Sequence, residues 1–344
     1  MTLMACYHPI TAFWKKGEYT DAERRKKVIT FKSPGMHLNK YGEMEPEPGY
    51  EIVKLPCGQC IGCRLQYSRE WAIRIQKEST LYEQNWFLTL TYDTEHLPWI
   101  DSVNTTTGEV ILGNPLYPKH LTKFMKDIRR QWEYHFNHEG IRFFACGEYG
   151  ELYERPHYHI CLMNFPIPEE ELVLETHNME GDAIYSCERI EKIWGKGMVR
   201  LGALTWQSAA YVARYMVKKQ KGPESEAYYH SKGQIPEFTR MSRRPGIGRE
   251  WYEQHKEEIY KNDEIFIPGK KGAKKLKPAK YFDRLYDIEQ PTRMESIKAM
   301  RKASMTRGQR LKLAKTSATL DEILKNAETL HKERASKLLR TLQV

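Results

Sequence analysis

The sequence predicts an α+β fold with one antiparallel sheet of the ferredoxin-like, split β-α-β type and with helices on one face. Three observations predict it. Short stretches rich in aromatic and β-branched residues indicate strands, and the segments between them carry apolar residues at helical spacing. From residue 86 onward the elements follow one another as β, α, β, β, α, β, α, and a β-α-β-β-α-β order is the ferredoxin-like pattern.

The first third of the chain contains four predicted features. Residues 1–66 look irregular, with Gly, Pro and Glu in their middle and cysteines at both ends. A helix is predicted over 64–83, where apolar residues lie near one stripe, and a strand over 86–92 (WFLTLTY). The polar stretch 100–115 is typical of a small hairpin.

A second helix is expected to begin at Pro118, because proline is favoured in the first turn. Its apolar stripe is Leu121, Phe124, Met125, Ile128 and Trp132. The elements expected after it are strands over 141–148 and 157–164, a helix over 186–195, a strand over 198–204 and a helix over 205–220. Thr205 is a suitable N-cap for the last of these.

Four segments follow from this pattern. Residues 1–66 form an irregular N-terminal segment with a cysteine metal site, and 67–222 form the domain that holds the sheet. Residues 223–267 form an irregular extension, and 268–344 form a basic linker and a helical tail. An apolar stripe near the end of this tail either joins a partner helix or folds back onto the chain.

The net charge of +10 is concentrated in that tail. From Pro268 to the end there are 20 basic and 8 acidic residues, against 35 and 37 in the rest of the chain. Such a tail suits nucleic acid, although a solvated tail without a partner has the same composition. No run of 18 apolar residues and no secretory signal is present, so we expect a cytosolic protein without a membrane span.

Two histidines flank a tyrosine in a predicted strand, His157-Tyr158-His159. Alternation places both imidazoles on one face, where they can converge on one cation. Glu148, at the end of the preceding strand, is the candidate for a third ligand, although an ordinary hairpin carboxylate would fit as well. With 12 histidines in the chain, such a pair also arises by chance, so the spacing alone is weak evidence.

Two tyrosines, Tyr211 and Tyr215, are spaced i, i+4 on a predicted helix, and Lys218 continues their face. Tyr149 and Tyr153 have the same spacing but lie in a predicted hairpin loop. With 21 tyrosines in the chain the spacing is common, and the alternative is a pair of boundary aromatics beside a solvated lysine.

Together these groups can cleave a phosphodiester. A phenol that attacks phosphorus leaves a covalent phosphotyrosine, which separates cleavage from rejoining. A phenol with a pKa of about 10 is a poor nucleophile at neutral pH, so a cation must polarise the phosphate. Imidazole ligands favour Mn²⁺, whereas Mg²⁺ is the more available ion. Lys218 can neutralise charge that develops on the phosphate.

Three cysteines are spaced as Cys57-x-x-Cys60-x-x-Cys63, a pattern that is rare by chance. Crowded thiols in a protein that is not exported indicate metal ligands. Tetrahedral zinc needs a fourth ligand, for which Cys6 is the candidate and His8 the substitute. An iron–sulfur cluster and plain reduced thiols stay open as alternatives.

Several stretches of the chain resemble a known family. Three of them resemble, in order, the three motifs of HUH-type replication initiators with two tyrosines: FLTLTYD (87–93), RPHYHICL (155–162) and SAAYVARYMVKK (208–219). Two more resemble the N-terminal region of gokushovirus replication initiation proteins of the Microviridae: ACYHP (5–9) and CGQCIGCRLQYSREWAIR (57–74). The resemblance covers about two-thirds of the chain, from Cys6 to about Lys219.

This resemblance implies an HUH endonuclease palm over 67–222 and nicking of single-stranded origin DNA in the bacterial host cytoplasm. A 3′-hydroxyl would be left for a host polymerase, and a host helicase is a further expected partner. Tyr211 and Tyr215 would be alternating nucleophiles, and His157 and His159 the pair of metal ligands. Glu148 and Lys218 correspond to less defined positions of the pattern.

Two other interpretations share part of these features. A relaxase or transposase would also use two histidines and a tyrosine, but the close tyrosine pair favours replication, since circularising a strand requires a second nucleophile. A non-catalytic, zinc-containing nucleic-acid-binding protein would keep the cysteines and the basic tail and would use its tyrosines for stacking.

Overall fold

A computed structural model describes residues 6–21, 26–39, 44–103, 108–218, 224–269 and 272–336. These residues divide into two compact units. One consists of the described residues up to Gln66 together with those from Lys280 onward, and the other consists of Tyr67–Ala279. No helix in the described ranges is long and apolar enough to cross a membrane.

The secondary structure is mixed. In chain order the strands are β1 (Ile10–Asp21), β2 (Lys26–Thr30), β3 (Met36–Leu38), β4 (Met44–Pro46), β5 (Tyr50–Leu55), β6 (Asn85–Thr91), β7 (Ile100–Val103), β8 (Val110–Gly113), β9 (Arg142–Tyr149), β10 (Pro156–Met163), β11 (Val173–His177), β12 (Ala183–Ser186), β13 (Val199–Ala203), β14 (Phe238–Met241), β15 (Ile265–Gly269) and β16 (Gly272–Leu276). The helices are α1 (Ile61–Ser79), α2 (Pro118–Phe136), α3 (Glu188–Trp194), α4 (Trp206–Lys218), α5 (Ser225–Ser231), α6 (Arg249–Asn262), α7 (Lys280–Glu289), α8 (Pro291–Leu313) and α9 (Leu320–Ser336).

The second unit is built on a seven-stranded sheet with the order β11-β12-β13-β6-β10-β9-β14. Every neighbouring pair in it is antiparallel. Its centre, β13-β6-β10-β9, consists of the four strands of the predicted β-α-β-β-α-β segment. The predicted α+β class with an antiparallel sheet is therefore confirmed.

One face of the sheet is covered by α2 and α3. The predicted stripe of α2 is fully buried, and it packs with Ile190 and Trp194 of α3 against the strands. Strand residues with inward-facing side chains on this face include Leu88, Leu90 and Tyr158. This packing explains the helix over 118–136, because its stripe has the 3.6-residue spacing of a core-facing helix.

The opposite face is also covered, so the expectation of helices on one face is wrong. Trp71 and Ile75 of α1 and Val212 of α4 pack there in one cluster with Phe87 and Phe144 of the strands. The strands themselves contain the reason. Their sequences, such as FFAC and ICLM, are apolar at successive positions, which is typical of strands buried on both faces.

Two segments expected to be irregular contain regular structure. Within residues 1–66, β1 pairs with β2 and β5 in a three-stranded sheet. Among the described side chains of β1, the buried ones are Ala12 and Phe13. The sequence of β1 therefore lacks the alternation of apolar residues by which strands are recognised. Within 223–267, β14 extends the central sheet by pairing with β9, although its sequence FTRM is short and half polar.

Candidate active site

Three polar side chains meet on the α1 and α4 side of the sheet. The register of β9 and β10 places Glu148 directly opposite His157, and strand alternation brings His159 to the same face. One carboxylate oxygen, Glu148 Oε1, lies 2.6 Å from His157 Nε2 and 3.0 Å from His159 Nε2. The ligand atoms of the three residues all lie within 4.8 Å of one another, as a shared cation requires.

The other nitrogen of each imidazole has its own partner. His157 Nδ1 lies 3.2 Å from the backbone carbonyl of Arg155, which can only accept a hydrogen bond. In the metal-bound form, a proton on Nδ1 of His157 would leave the lone pair of Nε2 free for the cation that Nε2 shares with Glu148. His159 Nδ1 lies 3.0 Å from Thr89 Oγ1, whose hydroxyl can accept in the same way.

This donor set fits a divalent cation. Two imidazole nitrogens and a carboxylate oxygen face one another, and an octahedral ion with bonds of about 2.0–2.1 Å would separate neighbouring ligand atoms by about 3 Å. The three candidate ligand side chains are shielded from water, with Glu148 and His159 each 4% exposed and His157 17% exposed. The geometry therefore identifies a candidate metal centre.

Electrostatics favour the protonation states that ligands need. Burial lowers the pKa of His159, which keeps the imidazole neutral. Burial acts to raise the pKa of Glu148, but hydrogen bonds with His157 and His159 outweigh it and bring that pKa below its ordinary value. A neutral imidazole and an ionised carboxylate are the forms that bind a metal.

Tyr211 lies against this cluster. Its ring meets the His159 ring edge to face, with the centroids 5.3 Å apart and the planes at 79°. Phe87 stacks on His159 with a centroid distance of 5.4 Å, and its ring also contacts Tyr211, so that the three rings pack against one another. Tyr211 is 6% exposed, so its phenol is held at the buried base of the site.

Helix α4 brings Tyr211 to this position. Its start is defined by a reciprocal cap, in which the Ser208 N–H lies 3.2 Å from Thr205 Oγ1 and the Thr205 N–H donates to Ser208 Oγ at 2.7 Å. The predicted Thr205 cap is therefore confirmed. Tyr215 and Lys218 belong to the same helix, Tyr215 one turn after Tyr211, but their side chains lie outside the described part of the structure.

Thr89 and Phe87 were absent from the sequence-based candidates, although both contact His159. Their signal is the alternation in FLTLTY, which places residues 87, 89 and 91 on one face of β6. The sequence alone does not show what this face contacts. The register of β6 with β10 shows it, because it pairs Thr89 directly with His159.

Removing the Thr89 hydroxyl tests the metal centre. Thr89→Val keeps the shape of the side chain but takes away the partner of His159 Nδ1, so the imidazole loses its fixed tautomer. We expect the affinity for Mn²⁺, measured by titration calorimetry, to fall about 10- to 100-fold. Thr91→Val is the matched control, since the Thr91 hydroxyl on the same strand donates to the Met198 carbonyl. Equal Mn²⁺ affinity of Thr89→Val and the wild type would contradict the assignment.

A second cluster lies in the other unit. The sulfur atoms of Cys6, Cys57, Cys60 and Cys63 all lie within 4.8 Å of one another. Backbone N–H groups point at these sulfurs: that of Cys57 donates to Cys6 Sγ at 3.2 Å, and that of Cys60 to Cys57 Sγ at 3.3 Å. Four converging sulfurs can bind one metal tetrahedrally, and the same ligand set also serves iron–sulfur clusters.

The thiols differ in their ease of ionisation. Burial raises the pKa of Cys6 and of Cys63. Burial acts in the same direction on Cys57, but N–H groups of Cys60 and Gln59 donate to its sulfur and lower the pKa to about 7. N–H donors that stabilise a thiolate are what a metal-binding cysteine requires.

The fourth position of this cluster is held by Cys6 rather than His8. His8 is 66% exposed at its side chain, and its Nε2 lies 2.7 Å from Glu328 Oε2 of helix α9. The same helix packs Leu324 and Ala327 against the cysteines. The apolar stripe near the C-terminus therefore folds back onto the chain.

Comparisons with known proteins agree on one kind of protein. Residues 85–220, which contain the Glu148, His157 and His159 cluster and Tyr211, match a family of replication-associated proteins of the ORF2 type. The chain is 39% identical over 237 residues to "Replication-associated protein ORF2" of Spiroplasma virus 4, a match that covers 68% of each chain.

Two further relatives carry similar names. "Replication-associated protein VP4" of Bdellovibrio phage phiMH2K is 32% identical over 220 residues, or 62% of each chain. "Replication-associated protein ORF4" of Chlamydia phage 1 is 32% identical over 179 residues, which cover 50% of this chain and 41% of that protein. No solved structure matches the chain.

Proposed function

Because the chain belongs to the family of phage replication-associated proteins, we propose that it is a metal-dependent endonuclease that nicks single-stranded origin DNA through a tyrosine and so starts rolling-circle replication. One observation carries this proposal. The Tyr211 ring lies against His159, whose Nε2 faces the carboxylate of Glu148, so a nucleophile and a metal centre share one site.

The residues have separate tasks in this reaction. A bound Mg²⁺ or Mn²⁺ supplies Lewis-acid polarisation of the scissile phosphate. Glu148, His157 and His159 would hold that ion on the sheet. The phenolic oxygen of Tyr211 forms a bond to phosphorus, the bond from phosphorus to the 3′-oxygen breaks, and the phenolic proton ends on that oxygen as a free 3′-hydroxyl.

Two residues of α4 complete the proposal. Tyr215 is the second nucleophile, which attacks the new junction when the displaced strand has to be joined into a circle. Lys218 neutralises charge on the phosphate during the transfer. Both follow Tyr211 at helical spacing, one and two turns further along.

The fold is compatible with an HUH endonuclease palm. The strands β13-β6-β10-β9 have the fourth-first-third-second order of the ferredoxin-like sheet, and the candidate site lies on the adjacent strands β9 and β10 and on α4. We assign residues 67–222 to this nuclease domain. A host polymerase that extends the 3′-hydroxyl, and a host helicase, are the proposed partners in the bacterial cytoplasm.

The basic tail provides a surface for the DNA backbone. Lys302, Arg307 and Arg310 are exposed on α8, and within the described ranges none of the three takes part in an ion pair. By contrast, Arg301 and Lys298 of the same helix pair with Asp283 and Asp287 of α7. Uncompensated basic side chains on one helix attract phosphate groups.

A second candidate function is a non-catalytic, metal-containing nucleic-acid-binding protein. The four-cysteine cluster and the exposed basic residues of α8 favour it. It leaves the Glu148, His157 and His159 cluster beside Tyr211 without a task, which is why the nuclease is preferred.

An adduct assay separates the two functions. The full chain is incubated with Mn²⁺ and a labelled single-stranded oligonucleotide that contains the phage origin, and the products are run on a denaturing gel. We expect a protease-sensitive band of protein covalently bound to DNA that disappears when EDTA replaces Mn²⁺, with the adduct mapped by mass spectrometry to a peptide from α4. Binding of the oligonucleotide without any adduct would favour the second candidate.

A further inference from the structure

The turn between β9 and β10 forms a cavity beside the candidate metal centre. It has a volume of about 430 Å³, within the range of small-ligand sites, and is lined by Gly150, Glu151, Leu152, Tyr153, Arg155 and His157. His157 thus contributes to both places: its Nε2 faces Glu148, and the residue is also part of the cavity lining.

The turn is held in place by its own hydrogen bonds. The Gly150 N–H donates to the Arg155 carbonyl at 3.0 Å. Glu154 accepts a hydrogen bond of 3.0 Å from Gln234 Nε2 and forms an ion pair with Lys232. A turn fixed in this way presents its side chains in one arrangement, which reduces the entropy lost on binding.

Two large apolar side chains project from this fixed turn. Leu152 is 87% exposed and Tyr153 is 83% exposed. Single exposed apolar residues are ordinary, but an adjacent aromatic and aliphatic pair that borders a cavity next to a candidate catalytic site marks a binding surface.

The charges around the cavity indicate which part of a nucleic acid fits. Glu151 lines it, and the Arg155 guanidinium is turned to the Tyr92 carbonyl, to which it donates at 3.0 Å. A carboxylate at the wall disfavours a phosphate group. An exposed phenol ring instead suits the face of an unpaired base, because every base has an aromatic face that can stack.

We propose that the cavity at the β9–β10 turn is a base-binding subsite for single-stranded DNA, in which Tyr153 stacks on an unpaired nucleobase. The shared wall formed by His157 places this base next to the phosphate at the metal centre. That placement rests on the proposed nuclease function, whereas the stacking itself does not. Duplex DNA is a poor ligand, since its bases are already stacked on each other.

Binding without cleavage tests the subsite. The full-length protein, in buffer without added Mg²⁺ or Mn²⁺, is titrated into single-stranded origin oligonucleotides that carry one 2-aminopurine, moved along the sequence, and both affinity and fluorescence quenching are recorded. We expect strong quenching at one position near the scissile phosphate. Tyr153→Ala is expected to abolish that quenching and to weaken binding roughly tenfold.

Two variants serve as controls. Tyr153→Phe keeps the ring and should bind as the wild type does. Tyr134→Ala removes a tyrosine of α2 that is 82% exposed and should change neither affinity nor quenching. Wild-type affinity and quenching in Tyr153→Ala, or an equal loss in Tyr134→Ala, would overturn the proposal.

The design keeps the subsite apart from the nuclease. The experiment contains no added Mg²⁺ or Mn²⁺ and detects no cleavage, so absence of a covalent adduct in the wild type would leave the stacking result intact. Conversely, Tyr153→Ala with unchanged binding would remove the subsite while leaving adduct formation by Tyr211 in place.

Discussion

Replacing both Tyr211 and Tyr215 with phenylalanine is expected to lower covalent adduct formation by a factor on the order of 10⁴ or more, as loss of a catalytic nucleophile does in other enzymes. Phenylalanine keeps the ring that packs on His159 and Phe87 but has no oxygen to attack phosphorus. The rate of adduct formation with Mn²⁺, followed on denaturing gels, measures the effect.

The affinity of the double variant for Mn²⁺ is an internal control, because it reports whether the metal centre is intact. Mn²⁺ affinity should stay at the wild-type value, because Glu148, His157 and His159 are unchanged. The single variants identify which tyrosine acts first, since only the first nucleophile is needed to open an intact strand. If the double variant still forms the adduct at the wild-type rate, another residue is the nucleophile and the proposed mechanism is wrong.

Much of this site was accessible from the sequence because two simple periodicities generate it. The two-residue period of a strand places His157 and His159 on one face, and the helical period places residues 211 and 215 on one face of α4. Glu148 follows from the hairpin between β9 and β10, whose register sets it opposite His157.

The features that escaped prediction depend on contacts between distant segments. Pairing of Thr89 with His159 depends on the register of β6 and β10, which are 70 residues apart at that point. The packing of α1 and α4 on the second sheet face was indicated only by strands that are apolar at successive positions. β1 and β14 have too few buried residues for a pattern to emerge.

For the cysteine cluster, too, the local spacing of residues could be interpreted from the sequence, whereas contacts between distant segments could not. The spacing of Cys57, Cys60 and Cys63 predicted a metal site from a few adjacent residues. The role of α9 was open, because its contact with Cys60 and Cys63 joins parts of the chain more than 250 residues apart. In the structure, Leu324 and Ala327 of that helix pack against the cysteines. The cluster therefore lies in a small core to which both the N-terminal segment and α9 contribute.

We propose that the four cysteines hold a structural metal, and on that proposal Cys60→Ser is expected to lose this metal together with most of the stability of the unit. Structural zinc in small domains contributes about 10–16 kcal/mol of apparent binding free energy, as much as a typical domain's whole stability of about 5–15 kcal/mol. Cys60 is buried and its sulfur accepts the Tyr7 N–H at 3.3 Å, so the loss also leaves that donor without its sulfur acceptor. Elemental analysis should show at least one metal equivalent fewer, and hydrogen exchange over 320–336 should accelerate strongly.

His8→Ala is the matched control for this prediction. His8 lies two residues from Cys6, but its imidazole contacts Glu328 instead of the sulfurs, so the variant should retain the metal and weaken only the attachment of α9. Treating the wild type with a strong chelator should reproduce the exchange pattern of Cys60→Ser, because in both cases the four sulfurs lose the ion that draws them together. Slow exchange over 320–336 in metal-free protein would instead mean that Leu324, Ala327 and the Tyr7–His331 contact hold α9 by themselves.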